Sequence, residues 1–168
     1  VYQDKPIHES AWNIEYDYRM TPYPVTKAES AEVTENSAVR GEIKIVKRFN
    51  RSVITQYVSL DAGAKKIDFR TVVDWHETEK VLKASFPVTV RSMFSTCESA
   101  HGSVQRPTHR NTSIDLAKFE ICMHKWVDLS ESGYGVSVLN DCKYGCDVTD
   151  NVISITLMRA PVCPDPTG

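Results

Sequence analysis

The chain has 168 residues, of which 41% are hydrophobic and 25% charged, and its formal net charge is −2. This composition is typical of one soluble globular domain of ordinary size. Because the sequence has no Lys/Arg-rich block and no apolar run of about 18 residues, we expect neither a nucleic acid nor a membrane as a partner.

Apolar and polar residues alternate along five stretches of the chain. In chain order these are "GEIKIVKRF" at 41–49, "KIDFRTVVDW" at 66–75, "SFPVTV" at 85–90, "GYGVSVL" at 133–139 and "NVISITLMRA" at 151–160. Alternation with a period of two places apolar side chains on one face of a sheet and polar ones on the other. Each stretch therefore predicts a β-strand with one buried face.

Turn signals separate the predicted strands, near Asn50, Gly63, Gly133 and Asp150. Strands bounded by turns, with no long helical pattern between them, predict an all-β fold, an antiparallel β-sandwich. One stretch is ambiguous, because "HETEKVLKASF" at 76–86 fits either a short helix or a strand that enters "SFPVTV".

Two polar stretches break the alternation. The stretch from Thr21 to Ser37 predicts a loop followed by an edge strand. The stretch from His101 to Glu120 predicts a long loop, a feature that is often functional in compact domains. It is either a polar loop that reaches a ligand or a partner domain, or a solvated crossover between sheets.

The segment from Lys118 to Asp141 predicts a strand, a turn and a second strand. The first strand has an apolar face and a mixed face, and the mixed face carries Glu120, Cys122, His124 and Trp126. Sugar sites combine aromatic walls with a few placed polar groups, so this face is one candidate for such a site. The alternative is a strand covered by another sheet, with Trp126 in the core.

The cysteines number five, an odd count, and none forms a CxxC pair. We therefore expect reduced thiols in a cytoplasmic protein. Only Cys122-x-His124 and Cys142-x₃-Cys146 have a spacing that suggests metal ligands, and buried or loop thiols explain both. We predict no metal site in this chain.

Catalytic signatures are weak. The acidic residues available for a paired-carboxylate hydrolase site are Asp115, Glu120, Asp128 and Glu131, and any sheet surface offers such acids. No GxSxG elbow is present. The residues alone therefore do not identify a catalytic site.

Four stretches together resemble the β-rich C-terminal half of glycoside hydrolase family 38 α-mannosidases, most of all the cytosolic and bacterial branch. They are "YQDKPIHESAWNIEYDY" (2–18), "FRTVVDWHETEKVLKASFPVTV" (69–90), "QRPTHRNTSIDLAKFEICMHKWVDLSESGYGVSVLNDCKYG" (105–145) and "LMRAPVCPDPTG" (157–168). They occur in family order and span nearly the whole chain. The resemblance implies a supersandwich-like β-sandwich, with residues 1–168 as a single domain of a larger α-mannosidase.

Members of this family are retaining enzymes that hydrolyse α-mannosidic bonds in oligosaccharides with the help of a divalent metal, usually zinc. The resemblance implies that the zinc and the nucleophile belong to an N-terminal domain that is absent here. We therefore expect this chain to be inactive alone, and to complete the cleft and stabilise the catalytic domain in the cytoplasm. The implied partners are a mannose-containing oligosaccharide, that catalytic domain, and a second copy in a homo-oligomer.

In distant relatives, basic residues on the corresponding strand face the active site, and by position they fall at His124 and Lys125. The preceding loop, from Gln105 to Asp115, is expected to line the same cleft. The full set of substrate-cleft candidates is His124, Lys125, Arg106, His109, Asn111 and Asp115.

The alternative function is a free-standing carbohydrate-binding or interaction module of the same ancestry. Such a module would bind a mannoside through Trp126, Trp12 or Trp75.

Overall fold

The computed structural model describes residues 1–164, and almost all of its regular structure is antiparallel β. The strands are β1 (Tyr2–Gln3), β2 (Ser30–Asn36), β3 (Arg40–Phe49), β4 (Ser52–Asp61), β5 (Asp68–Asp74), β6 (Lys80–Pro87), β7 (Phe94–Ser99), β8 (Gly102–Pro107), β9 (Ile121–Cys122), β10 (Trp126–Glu131), β11 (Tyr134–Leu139), β12 (Gly145–Thr149) and β13 (Val152–Arg159). A 3₁₀ helix (Tyr16–Met20) and α1 (Ser113–Leu116) are the helical elements of the described part. Over those residues, no helix is long and apolar enough to cross a membrane.

The chain divides into two compact units. The sheet unit comprises Val1 and Pro22–Thr78, and the sandwich unit comprises Tyr2–Thr21 together with residues 79–164. The predicted all-β antiparallel fold is confirmed. That residues 1–168 form a single domain stays a prediction, and residues 165–168, which end the stretch 157–168, lie outside the described residues.

The sheet unit is a four-stranded antiparallel sheet in the order β2-β3-β4-β5. Its β2 is an edge strand, as predicted for the stretch 21–37. Val33, Ile43, Val58 and Phe69 pair with one another across the four strands and form an apolar row on one face. The row follows from the alternation seen in the sequence.

The opposite face of this sheet is polar. Lys44 is next to Ile43 in β3, so its side chain points to the other face. There Lys44 Nζ lies 3.0 Å from Glu32 Oε1, and the guanidinium of Arg70 lies 3.7 Å from the ring centroid of Tyr57. These cross-strand pairs hold the register of the four strands.

The sandwich unit contains two antiparallel sheets that share one core. A five-stranded sheet has the order β1-β6-β13-β12-β9, and a four-stranded sheet has the order β11-β10-β7-β8. Their inner faces contribute to a single cluster of buried residues: Val90, Cys97, Met123, Val127, Leu129, Cys146, Val148, Ile153 and Ile155. The unit is thus a β-sandwich, in which alternate residues of both sheets face inward.

On the five-stranded sheet, a buried ion cluster occupies the face opposite to the core. Lys83 of β6 is 2% exposed, and its ammonium group contacts Glu120 Oε1 and lies 2.6 Å from Asp147 Oδ2. Asp147 is 5% exposed and Glu120 13% exposed. A buried lysine therefore bridges two nearly buried carboxylates, an arrangement that requires all three groups to be present.

The 3₁₀ helix supplies two further partners of this cluster. The Tyr18 hydroxyl donates to Glu120 Oε1 at 2.5 Å, and Arg19 Nη1 lies 3.0 Å from Asp147 Oδ1. Burial, reinforced by the charge of Glu120 and the hydrogen bond to it, raises the pKa of Tyr18 far above its usual value. Tyr18 therefore acts as a permanent hydrogen-bond donor that fastens residues 16–20 to the sheet.

The four turn signals of the sequence all fall at turns. The backbone φ angle is positive at Asn50 (48°), Gly63 (76°), Gly133 (90°) and Asp150 (52°). At Gly133, between β10 and β11, a φ of 90° strains any residue that has a Cβ, which explains the glycine.

Two predictions about strands need correction, and one open alternative is decided. The strand predicted through Val90 ends at Pro87. In the ambiguous stretch 76–86, the strand alternative is confirmed, because β6 begins at Lys80 and no residue of the stretch is helical. The alternation predicted through Leu157 is interrupted, because the pairing of β13 with β6 shifts register between Thr156 and Met158. Bulges of this kind arise from the pairing partner, so they leave no signal in the alternation of one strand.

The loop predicted over residues 101–120 is also partly wrong. It contains β8, which pairs with β7, and the short helix α1. The helix begins with a capping box in which Thr112 and Asp115 exchange hydrogen bonds. The predicted long loop is therefore a strand, a capped helical turn and short connections.

We expect Leu129→Ala to lower the free energy of unfolding by about 2–5 kcal/mol, because the side chain is fully buried between the two sheets of the sandwich unit. Urea unfolding with unchanged m value measures the effect. Leu139→Ala is the control, because Leu139 lies in the same sheet and is 73% exposed. Equal effects of the two substitutions would contradict the burial that we describe.

We expect Lys83→Ala to destabilise the protein by about 3–5 kcal/mol, because Glu120 is left nearly buried without a cation and Asp147 keeps only Arg19. The matched control is Lys5→Ala, since Lys5 is 68% exposed and pairs with Glu79 at 3.2 Å. This surface pair is expected to contribute less than about 1 kcal/mol. If Lys83→Ala lowers the free energy of unfolding by no more than Lys5→Ala does, the buried ion cluster does not stabilise the fold as we describe.

Candidate functional site

The chain crosses from one sheet of the sandwich unit to the other between β9 and β10. The Met123 N–H donates to the Tyr144 carbonyl oxygen at 2.9 Å, and the His124 N–H donates to the Glu98 carbonyl oxygen at 3.1 Å. The Lys125 N–H donates to Glu98 Oε2 at 2.6 Å. Main-chain hydrogen bonds therefore fix this crossing, and Met123 fills the core beneath it.

This geometry corrects the prediction of one continuous strand with Cys122, His124 and Trp126 on a shared face. Cys122 ends β9 in the five-stranded sheet, whereas Trp126 begins β10 in the four-stranded sheet. His124 lies between the two strands. A change of sheet cannot be read from alternation, because it depends on pairing partners that are distant in the sequence.

A cavity of about 350 Å³ opens at the crossing. Its lining comes from the end of β7, the crossing itself and the residue before β12: Glu98, Ser99, Ala100, Cys122, Met123, His124, Lys125 and Tyr144. Two of the six predicted cleft residues, His124 and Lys125, thus line one cavity.

Tyr144 is the aromatic residue of this cavity, and it is 50% exposed. The His124 ring meets it edge-on, with ring centroids 6.0 Å apart and planes at 75°. Lys125 Nζ lies 5.5 Å from the Tyr144 centroid and donates to the Asp141 carbonyl oxygen. The cavity wall therefore combines an aromatic ring with a positioned cation.

Glu98 provides the negative charge of the cavity. Its Oε2 accepts the Lys125 N–H at 2.6 Å, which fixes the carboxylate. Across residues 1–164, no hydrogen bond or ion pair involves Glu98 Oε1. The cavity thus presents one carboxylate oxygen that is available as an acceptor.

The thiols of the sandwich unit divide by environment, and all five cysteines of the chain are free. Cys122, in the cavity wall, and Cys142 are exposed, and the contact with Asp141 raises the pKa of the Cys142 thiol. Cys97 and Cys146 are fully buried. The Cys146 thiol donates to Cys97, and together with burial this contact raises the pKa of Cys146.

The other four predicted cleft residues do not line the cavity. Arg106 lies in β8, and its Nε is buried without a hydrogen-bond partner among the described residues. His109 Nδ1 is 3.5 Å from Asp115 Oδ2, and Asn111 is exposed. The Thr112 hydroxyl, which donates to Asp115 Oδ2 at 2.8 Å, lowers the pKa of Asp115.

The segment that carries His109, Asn111 and Asp115 approaches the far end of β12. Arg110 Nη2 donates to Thr149 Oγ1 at 3.3 Å. The cavity lies beside the start of β12, and at about 3.3 Å per residue the two ends of this strand are about 13 Å apart. The structure therefore separates these residues from His124 and Lys125, and their role in a cleft stays a prediction.

The three tryptophans considered as sugar contacts are also outside the cavity wall. Trp12 is 67% exposed, and Trp126 is half-buried at the start of β10. Trp75 stacks on Phe49, with centroids 6.3 Å apart. Tyr144 and Glu98 are the residues that the sequence did not reveal, because only strand pairing and the crossing bring them beside His124.

Three comparisons with known proteins agree with this architecture. The family model described as "Glycosyl hydrolases family 38 C-terminal domain" matches residues 1–167. The chain is 42% identical to "Alpha-mannosidase 2C1" of Homo sapiens over 171 residues, which covers 100% of this chain and 16% of that protein. It is 39% identical to "Alpha-mannosidase" of Saccharomyces cerevisiae over 174 residues, which covers 98% of this chain and 16% of that protein.

The fold also resembles a solved structure, that of "an alpha-mannosidase from Enterococcus faecalis V583", with a TM-score of 0.70. At 17% identity, this likeness covers 79% of our chain and 18% of the bacterial one, and it supports the fold alone. The chain thus spans about a sixth of the length of the curated relatives that it matches. The resemblance read from the sequence is confirmed, and the chain belongs to glycosyl hydrolase family 38, in whose C-terminal domain its residues fall.

Proposed function

We propose that this chain is the β-rich part of an α-mannosidase that hydrolyses α-mannosidic bonds in mannose-containing oligosaccharides. The observation that carries the proposal is the alignment of essentially the whole chain with α-mannosidases of human and yeast at 39–42% identity. Identity at this level over a complete region supports a shared role within the larger enzyme.

The reacting groups are proposed to lie outside the chain. Hydrolysis of a glycosidic bond with retention requires a nucleophile and an acid/base carboxyl group about 5–5.5 Å apart. In residues 1–164, no group of three or more His, Cys, Asp or Glu residues is arranged to hold a metal ion. The described residues therefore do not fit a catalytic zinc, and we propose that the catalytic domain of the enzyme binds it.

In this proposal, the chain contributes two things to the enzyme. Its crossing presents His124 and Lys125 to the substrate cleft, and its sandwich unit stabilises the catalytic domain. Free thiols at all five cysteines support a cytoplasmic location, where thiols stay reduced.

The experiment compares hydrolysis of 4-nitrophenyl α-mannoside by the full-length enzyme and by the 168-residue chain. We expect turnover by the enzyme and none by the chain. In the enzyme, His124→Ala or Lys125→Ala is expected to lower kcat/KM roughly 10- to 100-fold, because a hydrogen bond to a charged group contributes about 1.5–3 kcal/mol.

The matched controls are His8→Ala and Lys65→Ala, at exposed positions that do not line the cavity. Thermal unfolding of each variant shows whether a lower kcat/KM comes from a lost substrate contact or from a destabilised fold. Unchanged kcat/KM in both His124→Ala and Lys125→Ala removes these residues from the cleft. A full-length enzyme that does not cleave α-mannosides refutes the function, and turnover by the chain alone places the reacting groups within it.

A further inference from the structure

We propose that the cavity at the crossing is a binding subsite for one pyranose residue, with Tyr144 as its stacking platform and Glu98 as its hydrogen-bond acceptor. The choice of mannose as that residue rests on the proposed function. The size, the wall and the charges of the cavity each support the proposal independently.

The cavity has the size of a site for one small ring. Its volume of about 350 Å³ is at the lower end of the range of about 300–1,000 Å³ that is typical of ligand pockets. Its walls come from three separate parts of the chain and meet at Met123, which is fully buried. This limited volume favours a single sugar ring over an extended chain or a peptide.

Tyr144 gives the cavity an amphipathic wall. Its ring is 50% exposed, and the contacts with His124 and Lys125 hold it from the side of the crossing. A fixed tyrosine offers a large contact area with little loss of side-chain entropy. The C–H-bearing face of a pyranose is the part of a sugar that such a ring can cover.

The charges of the cavity favour a neutral ligand with many hydroxyl groups. Glu98 disfavours an anion, and Lys125 disfavours a cation. A sugar hydroxyl can donate to Glu98 Oε1 and accept from Lys125 Nζ, which has three donors and uses one on the Asp141 carbonyl oxygen. A polyol therefore satisfies both charged groups together.

The site is also organised before a ligand binds. Main-chain hydrogen bonds fix residues 123–125, and the Lys125 N–H orients the Glu98 carboxylate. Little side-chain ordering is then required on binding, which reduces the entropic cost of a weak ligand.

Cys122 offers a local reporter, because its exposed thiol lines the cavity, whereas the exposed thiol of Cys142 does not. We would measure the alkylation rate of each by peptide mass spectrometry, on the full-length enzyme, while methyl α-D-mannopyranoside is titrated. At ten times its Kd, the ligand is expected to slow Cys122 alkylation roughly tenfold and to leave Cys142 unchanged.

Three variants of the cavity wall and one control test the roles of Tyr144 and Glu98. Tyr144→Ala is expected to abolish the protection of Cys122, and Tyr144→Phe to retain it, because the ring face makes the contact. Glu98→Gln retains an acceptor for the Lys125 N–H, and it is expected to weaken binding about tenfold. Tyr134→Ala is the control for loss of an exposed tyrosine, since Tyr134 is 57% exposed and outside the cavity wall.

The proposal is overturned if the mannoside does not slow Cys122, if it slows Cys122 and Cys142 equally, or if Tyr144→Ala retains the protection. Hydrolysis of 4-nitrophenyl α-mannoside tests the proposed function independently of Cys122 protection. Turnover without protection refutes the subsite and leaves the function intact. Protection without turnover refutes the function and leaves the subsite intact.

Discussion

The packing of two apolar sheet faces is the constraint on which the sandwich unit depends. Val127 and Leu129 from one sheet, and Val148 and Ile153 from the other, are almost completely buried in a single cluster. Each such side chain contributes about 1.5–3 kcal/mol when it is removed from water. The strands of both sheets alternate along the chain, so the chain changes sheets repeatedly, and the change between Cys122 and Trp126 borders the cavity.

Much of the fold could be predicted because its signals are local. Alternation located the strands that carry Ile43, Phe69, Val136 and Ile155. Turn-forming residues such as Gly133, whose φ is positive in the structure, located the turns. The ends of strands, the bulge in β13 and the change of sheet could not be predicted, because they depend on pairing between distant segments. A period of two tells which face a residue occupies, and it does not tell which sheet.

The candidate site divides in the same way. His124 and Lys125 could be predicted as candidates because they stand in a stretch that resembles a known family, and both line one cavity. Glu98 and Tyr144 stand 26 and 20 residues away from His124, and nothing in their neighbourhood marks them. The cavity is thus a product of topology, and its chemistry follows from which side chains the crossing gathers around Met123.

The ion cluster around Lys83 has a consequence for the limits of the folding unit. Tyr18 and Arg19 are supplied by a segment that is separated from the rest of the sandwich unit by 57 residues of the sheet unit, Pro22–Thr78. A polypeptide begun after this segment would keep twelve of the thirteen strands described for residues 1–164. It would nevertheless lose the contacts of Tyr18 with Glu120 and of Arg19 with Asp147. A domain boundary chosen from the strand pattern alone would therefore leave these two carboxylates without part of their compensation.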